Sequence, residues 1–90
     1  MIRAFSARAW EDYQHWIKDG KNTLKKLNGL IDEAARTPAS GTGRPEALKG
    51  KLEGYWSRRV NRKDRLVCTI VTFSESGEDA LFIAQCRQHY

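Results

Sequence analysis

Ninety residues with 16 Lys plus Arg against 11 Asp plus Glu carry a formal net charge of +5, and a chain of this length is expected to form one domain spanning 1–90. A hydrophobic fraction of 40% with nine aromatics excludes a disordered chain, and the longest apolar-looking run, Leu66 to Phe73, is far too short to cross a bilayer. Residues 44–65 hold eight cations (Arg44, Lys49, Lys51, Arg58, Arg59, Arg62, Lys63, Arg65) against three anions (Glu46, Glu53, Asp64), so this segment carries the whole excess and suggests an anionic partner.

In chain order, Ile2 to Phe5 reads as a short strand. Ser6 is the N-cap of a helix, with Phe5 and Trp10 at the two positions of a hydrophobic staple. Trp10, Tyr13 and Ile17, with Ala9 and Trp16 beside them, form an apolar stripe at three-and-four spacing that Gly20 stops. A second helix is expected from about Asn22 to Arg36, with Leu24, Leu27, Ile31 and Ala34 on one side, ended by Pro38. Thr37 to Gly54 has four Gly and two Pro and no apolar period, which reads as a long loop. Three strands follow, Tyr55 to Val60, Arg65 to Phe73 and Ala80 to Arg87, separated by turns at Asn61–Asp64 and Ser74–Asp79. The fold class expected is α+β, with two N-terminal helices on one face of a mostly antiparallel sheet of four to five strands.

If Arg59 pairs with Arg65 across a tight turn, then Tyr55, Ser57, Arg59 and Arg65 share one sheet face, because side chains alternate along a strand. With helices covering the other face, this one is open and polar. The three tryptophans, Trp10, Trp16 and Trp56, read as core. Cys68 and Cys86 have neither CxxC spacing nor a disulfide partner pattern and read as buried thiols. With no signal-peptide core at the start, a reduced cytoplasmic location is expected, with no membrane association. Gly41-Thr-Gly43 and Gly50-Lys51-Leu52 fail the dinucleotide and phosphate-loop patterns. His15 reads as an ordinary helix histidine.

Internal RNA cleavage needs a base for the 2′-hydroxyl proton, cations for the phosphorane charge, and an acid for the leaving 5′-oxygen. Glu46 can supply the base, Arg59 or Arg65 the cation and His89 the acid, with no metal or other cofactor required. Tyr55 or Tyr90 offers a ring for an unstacked base. Each part has a plainer reading beside it: a solvated loop carboxylate, a strand with exposed arginines, a frayed tail.

The motifs Gly43-Arg-Pro-Glu-Ala-Leu-Lys49, Leu52-Glu-Gly-Tyr-Trp-Ser-Arg-Arg59, Asp64-Arg-Leu-Val67 and Cys86-Arg-Gln-His-Tyr90 together resemble the YoeB/Txe group of the RelE superfamily. These are the toxin halves of bacterial type II toxin–antitoxin pairs. The resemblance implies a RelE-like microbial RNase fold and a ribosome-dependent endoribonuclease that cuts messenger RNA in the A site. By the same resemblance Glu46 matches the general base, His89 the general acid and Arg65 the transition-state cation. Arg59 and Lys49 match further phosphate-binding cations, and Tyr90 matches a residue that orients substrate. It also implies a YefM/Phd-like antitoxin with an acidic covering segment, rRNA contacts and a homodimer. The hairpin Ser74–Asp79, with three acids, and Gln88, where an aromatic is commoner, depart from the family pattern. Two other readings stay open at this level: a ParE-like inhibitor of a protein such as gyrase, and a non-catalytic nucleic-acid-binding module.

Overall fold

Ser6 closes the first strand and opens the first helix. In the computed structural model, which describes residues 1–90, its Oγ accepts a hydrogen bond from the Ala9 amide at 3.0 Å and donates one to the Ala84 carbonyl at 2.8 Å. The first contact satisfies an orphan amide of the helix start, and the second ties that start to the sheet. Strand β1 is Ile2–Phe5 and helix α1 is Ala7–Asp19. Phe5 and Trp10 meet edge-to-face with ring centres 5.6 Å apart, as the staple spacing requires. Gly20 separates α1 from α2, Lys21–Arg36. A Cβ at Gly20 would come within 2.7 Å of the Trp16 ring, so a side chain there would force that buried ring to shift.

The stripe on α1 divides. Ala9 and Trp16 are buried, whereas Trp10 is half exposed, contrary to the core position expected for it. Its ring lies edge-on to Phe5 and stacked on Tyr13. Trp16 is held by a bond from its indole N–H to the Cys86 carbonyl at 2.9 Å.

The sheet has five strands in the order β1-β5-β4-β3-β2, where β2 is Glu46–Ala47, β3 is Trp56–Arg59, β4 is Arg65–Thr72 and β5 is Asp79–Gln85. β1 pairs with β5 in parallel and every other pair is antiparallel. The α+β architecture expected from the sequence is thus present, with both helices packed on one face. The segment 37–54 is not all loop: it contains β2 and a 3-10 turn at Gly50–Leu52. A two-residue strand is too short to show a period of two, and its partner strand fixes it.

The core joins Leu27, Leu30, Ile31 and Ala34 of α2 to Leu66, Cys68, Leu81 and Ile83 of the central strands. A bulge on β5 sets the end of the sheet: Val67 faces Gln85 while Cys68 faces Ile83, leaving Ala84 extra. Ala84 is the residue whose carbonyl receives the Ser6 hydroxyl. Beyond the bulge Cys86 is fully buried and anchors the C-terminal tail.

Candidate functional site

The register of the central strands assembles the polar face. Arg59 pairs with Arg65, as the parity of the hairpin anticipates, and Ser57 pairs with both Glu46 and Val67. Ser57, Val67 and Gln85 form a buried floor on the side away from the helices, with Glu46 and Arg59 exposed at its rim. Strand spacing puts Glu46 and Arg65 about 12 Å apart between Cα atoms, a gap that two extended side chains can close on a phosphate. Lys49 leaves β2 into solvent just beyond Leu48, whose amide bonds to the Tyr55 carbonyl at 2.9 Å.

Arg65 is the more constrained of the two facing arginines. Its Nη1 donates to the main-chain oxygens of Asn61 at 2.8 Å and Asp64 at 3.1 Å, so the turn aims the guanidinium and leaves Nη2 and Nε for another acceptor. The turn is itself fixed by the Asn61 side chain, which accepts from the Lys63 and Asp64 amides at 2.8 Å each. Of the eight cations in residues 44–65, seven make no ion pair within the chain. Their charge is available to a partner.

The eighth is Arg58, and it corrects the surface reading of the basic block. Its side chain is fully buried on the helix side of β3. Nη2 donates to the carbonyls of Thr37 at 2.5 Å and Ser40 at 2.7 Å, and Nη1 to that of Thr42 at 3.1 Å, with Glu33 at 3.6 Å. Only Nε lacks a partner. Arg58 therefore gathers the carbonyls that follow α2 and shapes the segment leading to Glu46. Glu33 completes the clamp by accepting from the Thr42 amide at 2.6 Å. That bond, with smaller help from the Arg58 charge, holds the Glu33 carboxyl below its ordinary range. The same segment docks on β3 through the Arg59 amide and the Gly43 carbonyl at 2.7 Å. Gly43 has φ +86° and would place a Cβ 3.2 Å from Arg58, Arg59 and Leu30 atoms, so glycine is required there.

The tail bearing His89 is not a frayed end. The Cys86 amide donates to Asp12 at 3.0 Å, the Gln88 amide to Asp64 at 2.7 Å, and the Arg65 amide to the Gln88 carbonyl at 3.0 Å. Arg8 reaches the Arg87 carbonyl at 3.2 Å and the Gln88 side chain at 3.3 Å. Gln88 adopts φ +67°, turning the chain so that His89 emerges one residue from the Arg65 contact. The His89 and Tyr90 rings lie 4.5 Å apart, with Tyr90 half exposed. Asp12 and Arg8 carry no signal in the sequence, and Asp64 appears there only in a turn and a motif, with no link to the tail. Their roles depend on contacts across more than 20 positions, which no local pattern encodes.

Glu46, Arg59 and Arg65 thus share one face, with Lys49 at its β2 edge, and the tail bearing His89 and Tyr90 is tied to the Arg65 end of that face through Gln88. No three His, Cys, Asp or Glu side chains come together as a set of metal ligands. Cys68 and Cys86 are buried, and burial raises their thiols to about 11 and about 12. Neither is a nucleophile at neutral pH. Chemically, the face and the tail offer an exposed carboxylate, several free cations and an exposed imidazole.

Residues 5–90 match the family described as YoeB-like toxin of bacterial type II toxin-antitoxin system. The toxin YoeB of Escherichia coli K12 is 43% identical over 86 residues, covering 96% of this chain and 95% of that protein. A YoeB/ParE toxin from Agrobacterium tumefaciens has the same structure at TM-score 0.91 and 38% identity, with both chains covered in full. The Staphylococcus aureus YoeB, solved as a dimer and as a heterotetrameric complex with the antitoxin YefM, superposes at TM-scores 0.85 and 0.83, with 38% identity over all of this chain and 98% of that one.

Proposed function

The chain belongs to the YoeB-like toxin family of bacterial type II toxin–antitoxin systems, and from that premise we propose that it is an endoribonuclease acting on messenger RNA in the ribosomal A site. Glu46 takes the proton from a 2′-hydroxyl, and the 2′-oxygen attacks the adjacent phosphorus. Arg65, through its free Nη2 and Nε, stabilises the charge that develops on the phosphorane, with Arg59 and Lys49 sharing it. His89 gives a proton to the departing 5′-oxygen, and Tyr90 orients the neighbouring nucleotide. The products are a 2′,3′-cyclic phosphate and a 5′-hydroxyl. The observation that supports this reading is the strand register: the Glu46–Ser57 and Arg59–Arg65 pairings put the carboxylate and two cations on one face, and the bond from the Arg65 amide to the Gln88 carbonyl anchors the tail that carries His89 to the same turn.

The seven unpaired cations of residues 44–65 support two further assignments. Arg44, Lys51 and Arg62 contact rRNA phosphates during attack on the ribosome. The same cations meet the acidic segment of a YefM-like antitoxin when the toxin is held inactive. A homodimer is the assembly proposed for the free toxin. The test maps the 5′ ends of a defined message cut in a purified translation system. Wild type should cut within the A-site codon, and Arg65→Ala should lose that cleavage while still binding ribosomes. Cuts at unrelated positions, or none by wild type, would refute the proposal.

A further inference from the structure

A polar cleft of about 650 Å3 lies between α1, the β3–β4 turn and the C-terminal tail. Its walls are His15 and Trp16 of α1, Lys63 and Asp64 of the β3–β4 turn, and the tail from Arg87 to His89. His89 is the sole residue of the proposed catalytic set that also lines this cleft. The proton that His89 donates goes to the 5′-oxygen of the nucleotide that follows the cut. That nucleotide therefore departs on the His89 side, where the cleft begins.

We propose, on the footing of the RNA-cleaving function above, that the cleft is the subsite for the nucleotide immediately 3′ of the scissile bond. Lys63 and Arg87 hold its 3′-phosphate, and its base lies along His15. Four observations carry this. Lys63 and Arg87 have no ion-pair partner in the chain. Asp64, the single acid in the lining, is occupied by the Gln88 amide at 2.7 Å, so it orders the wall rather than engaging the two cations. The His15 ring meets Trp16 edge-on at 4.9 Å, with Nδ1 4.0 Å from the Asp19 carboxylate, and 30% of its side chain stays exposed. Trp16 in turn is fixed by its bond to the Cys86 carbonyl, so the wall behind His15 is rigid. Cations for phosphate and an exposed ring for a base are what a single-stranded ribonucleotide needs. The volume lies within the range of small-molecule sites.

Two ribosome-bound messages test this, both ending one nucleotide after the cut, one with a 3′-hydroxyl and the other with a 3′-phosphate. Wild type should cleave the 3′-phosphate message with a kcat/KM about tenfold higher, the scale of two exposed charge contacts. In the Lys63→Ala/Arg87→Ala variant that ratio should fall to about one, and His15→Ala should raise KM on both messages. Both cations lie outside the hydrophobic core, so urea unfolding of the variant should match wild type. A wild-type ratio near one overturns the subsite while leaving the endonuclease reading intact. So does a double variant that loses activity equally on both messages and keeps the tenfold ratio, because its cations then act on rRNA. A variant impaired only in binding an acidic antitoxin peptide likewise overturns it. Absence of cleavage by wild type on either message removes the endonuclease reading, and the subsite with it.

Discussion

Arg58 and Arg59 are adjacent in sequence and differ in every physical respect, so paired substitutions make a demanding test. Arg58→Met keeps a long unbranched stem but removes three short bonds, to the Thr37, Ser40 and Thr42 carbonyls. Hydrogen bonds from a charged donor contribute about 1.5–3 kcal/mol each. Against that stands the desolvation of a fully buried guanidinium, several kcal/mol by itself, and an Nε with no partner. Removing one side of a buried charged network typically destabilises by about 3–5 kcal/mol. The lower end applies here, because Glu33 is a quarter exposed and the freed carbonyls can turn to water. A loss of about 3 kcal/mol is a large fraction of what a domain this small has to spare. It should appear in urea unfolding as a midpoint lower by roughly 3 M at an m-value near 1 kcal/mol/M. Amide exchange at 37–43 should quicken beyond the global change. Arg58→Lys should recover only part, since one ammonium cannot span carbonyls on three residues. Arg59→Met should leave stability within about 0.5 kcal/mol and lower cleavage instead. Equal stability of Arg58→Met and wild type would refute the clamp.

Further outcomes follow from single contacts. Gly43→Ala should lower stability by more than about 1 kcal/mol, through positive φ and three 3.2 Å contacts, whereas Gly77→Ala, with open space around it, should show the backbone effect alone. Cys68 and Cys86 should resist a thiol reagent at pH 8 until the protein is unfolded. Because folding raises both thiols from 9.0 to about 11 and about 12, the folded state holds protons that the unfolded state gives up above pH 9. Stability should therefore be unaffected by them below pH 9 and fall as pH rises through 9 to 12. Glu33 behaves in the opposite sense: its carboxyl is lowered in the fold, so its contribution is present above its ordinary value near 4.5 and lost on acidification. Exchange of the Thr42 amide should accelerate there first. Asp12→Ala should free the Cys86 amide and cost about 1–3 kcal/mol as an unmet buried donor.

How far the sequence led can be read at particular residues. The N-cap at Ser6, both helices and the Arg59–Arg65 pairing are local matters of period and turn chemistry, and they stand in the structure as read. The parity that put Arg59 on the open face also put Arg58 among the helices, so the signal for its burial was available. It was overridden by the expectation that a charged block is a surface. β2 had no signal, since Glu46 and Ala47 take their strand geometry from β3. The placement of His89 was legible as a motif but not as geometry. It rests on Asp12, Asp64 and Arg8, which reach the tail from 24 to 80 residues away.

The measurement that bears most directly on the function is a single-turnover cleavage assay on ribosome-bound message, with the new ends identified chemically. Wild type should leave a 2′,3′-cyclic phosphate and a 5′-hydroxyl. Glu46→Gln and His89→Gln should each slow the step by about 10²–10⁴-fold, the usual contribution of a general base or acid, with ribosome binding retained. Wild-type rates in both variants, or toxicity that persists with no message cut, would contradict it.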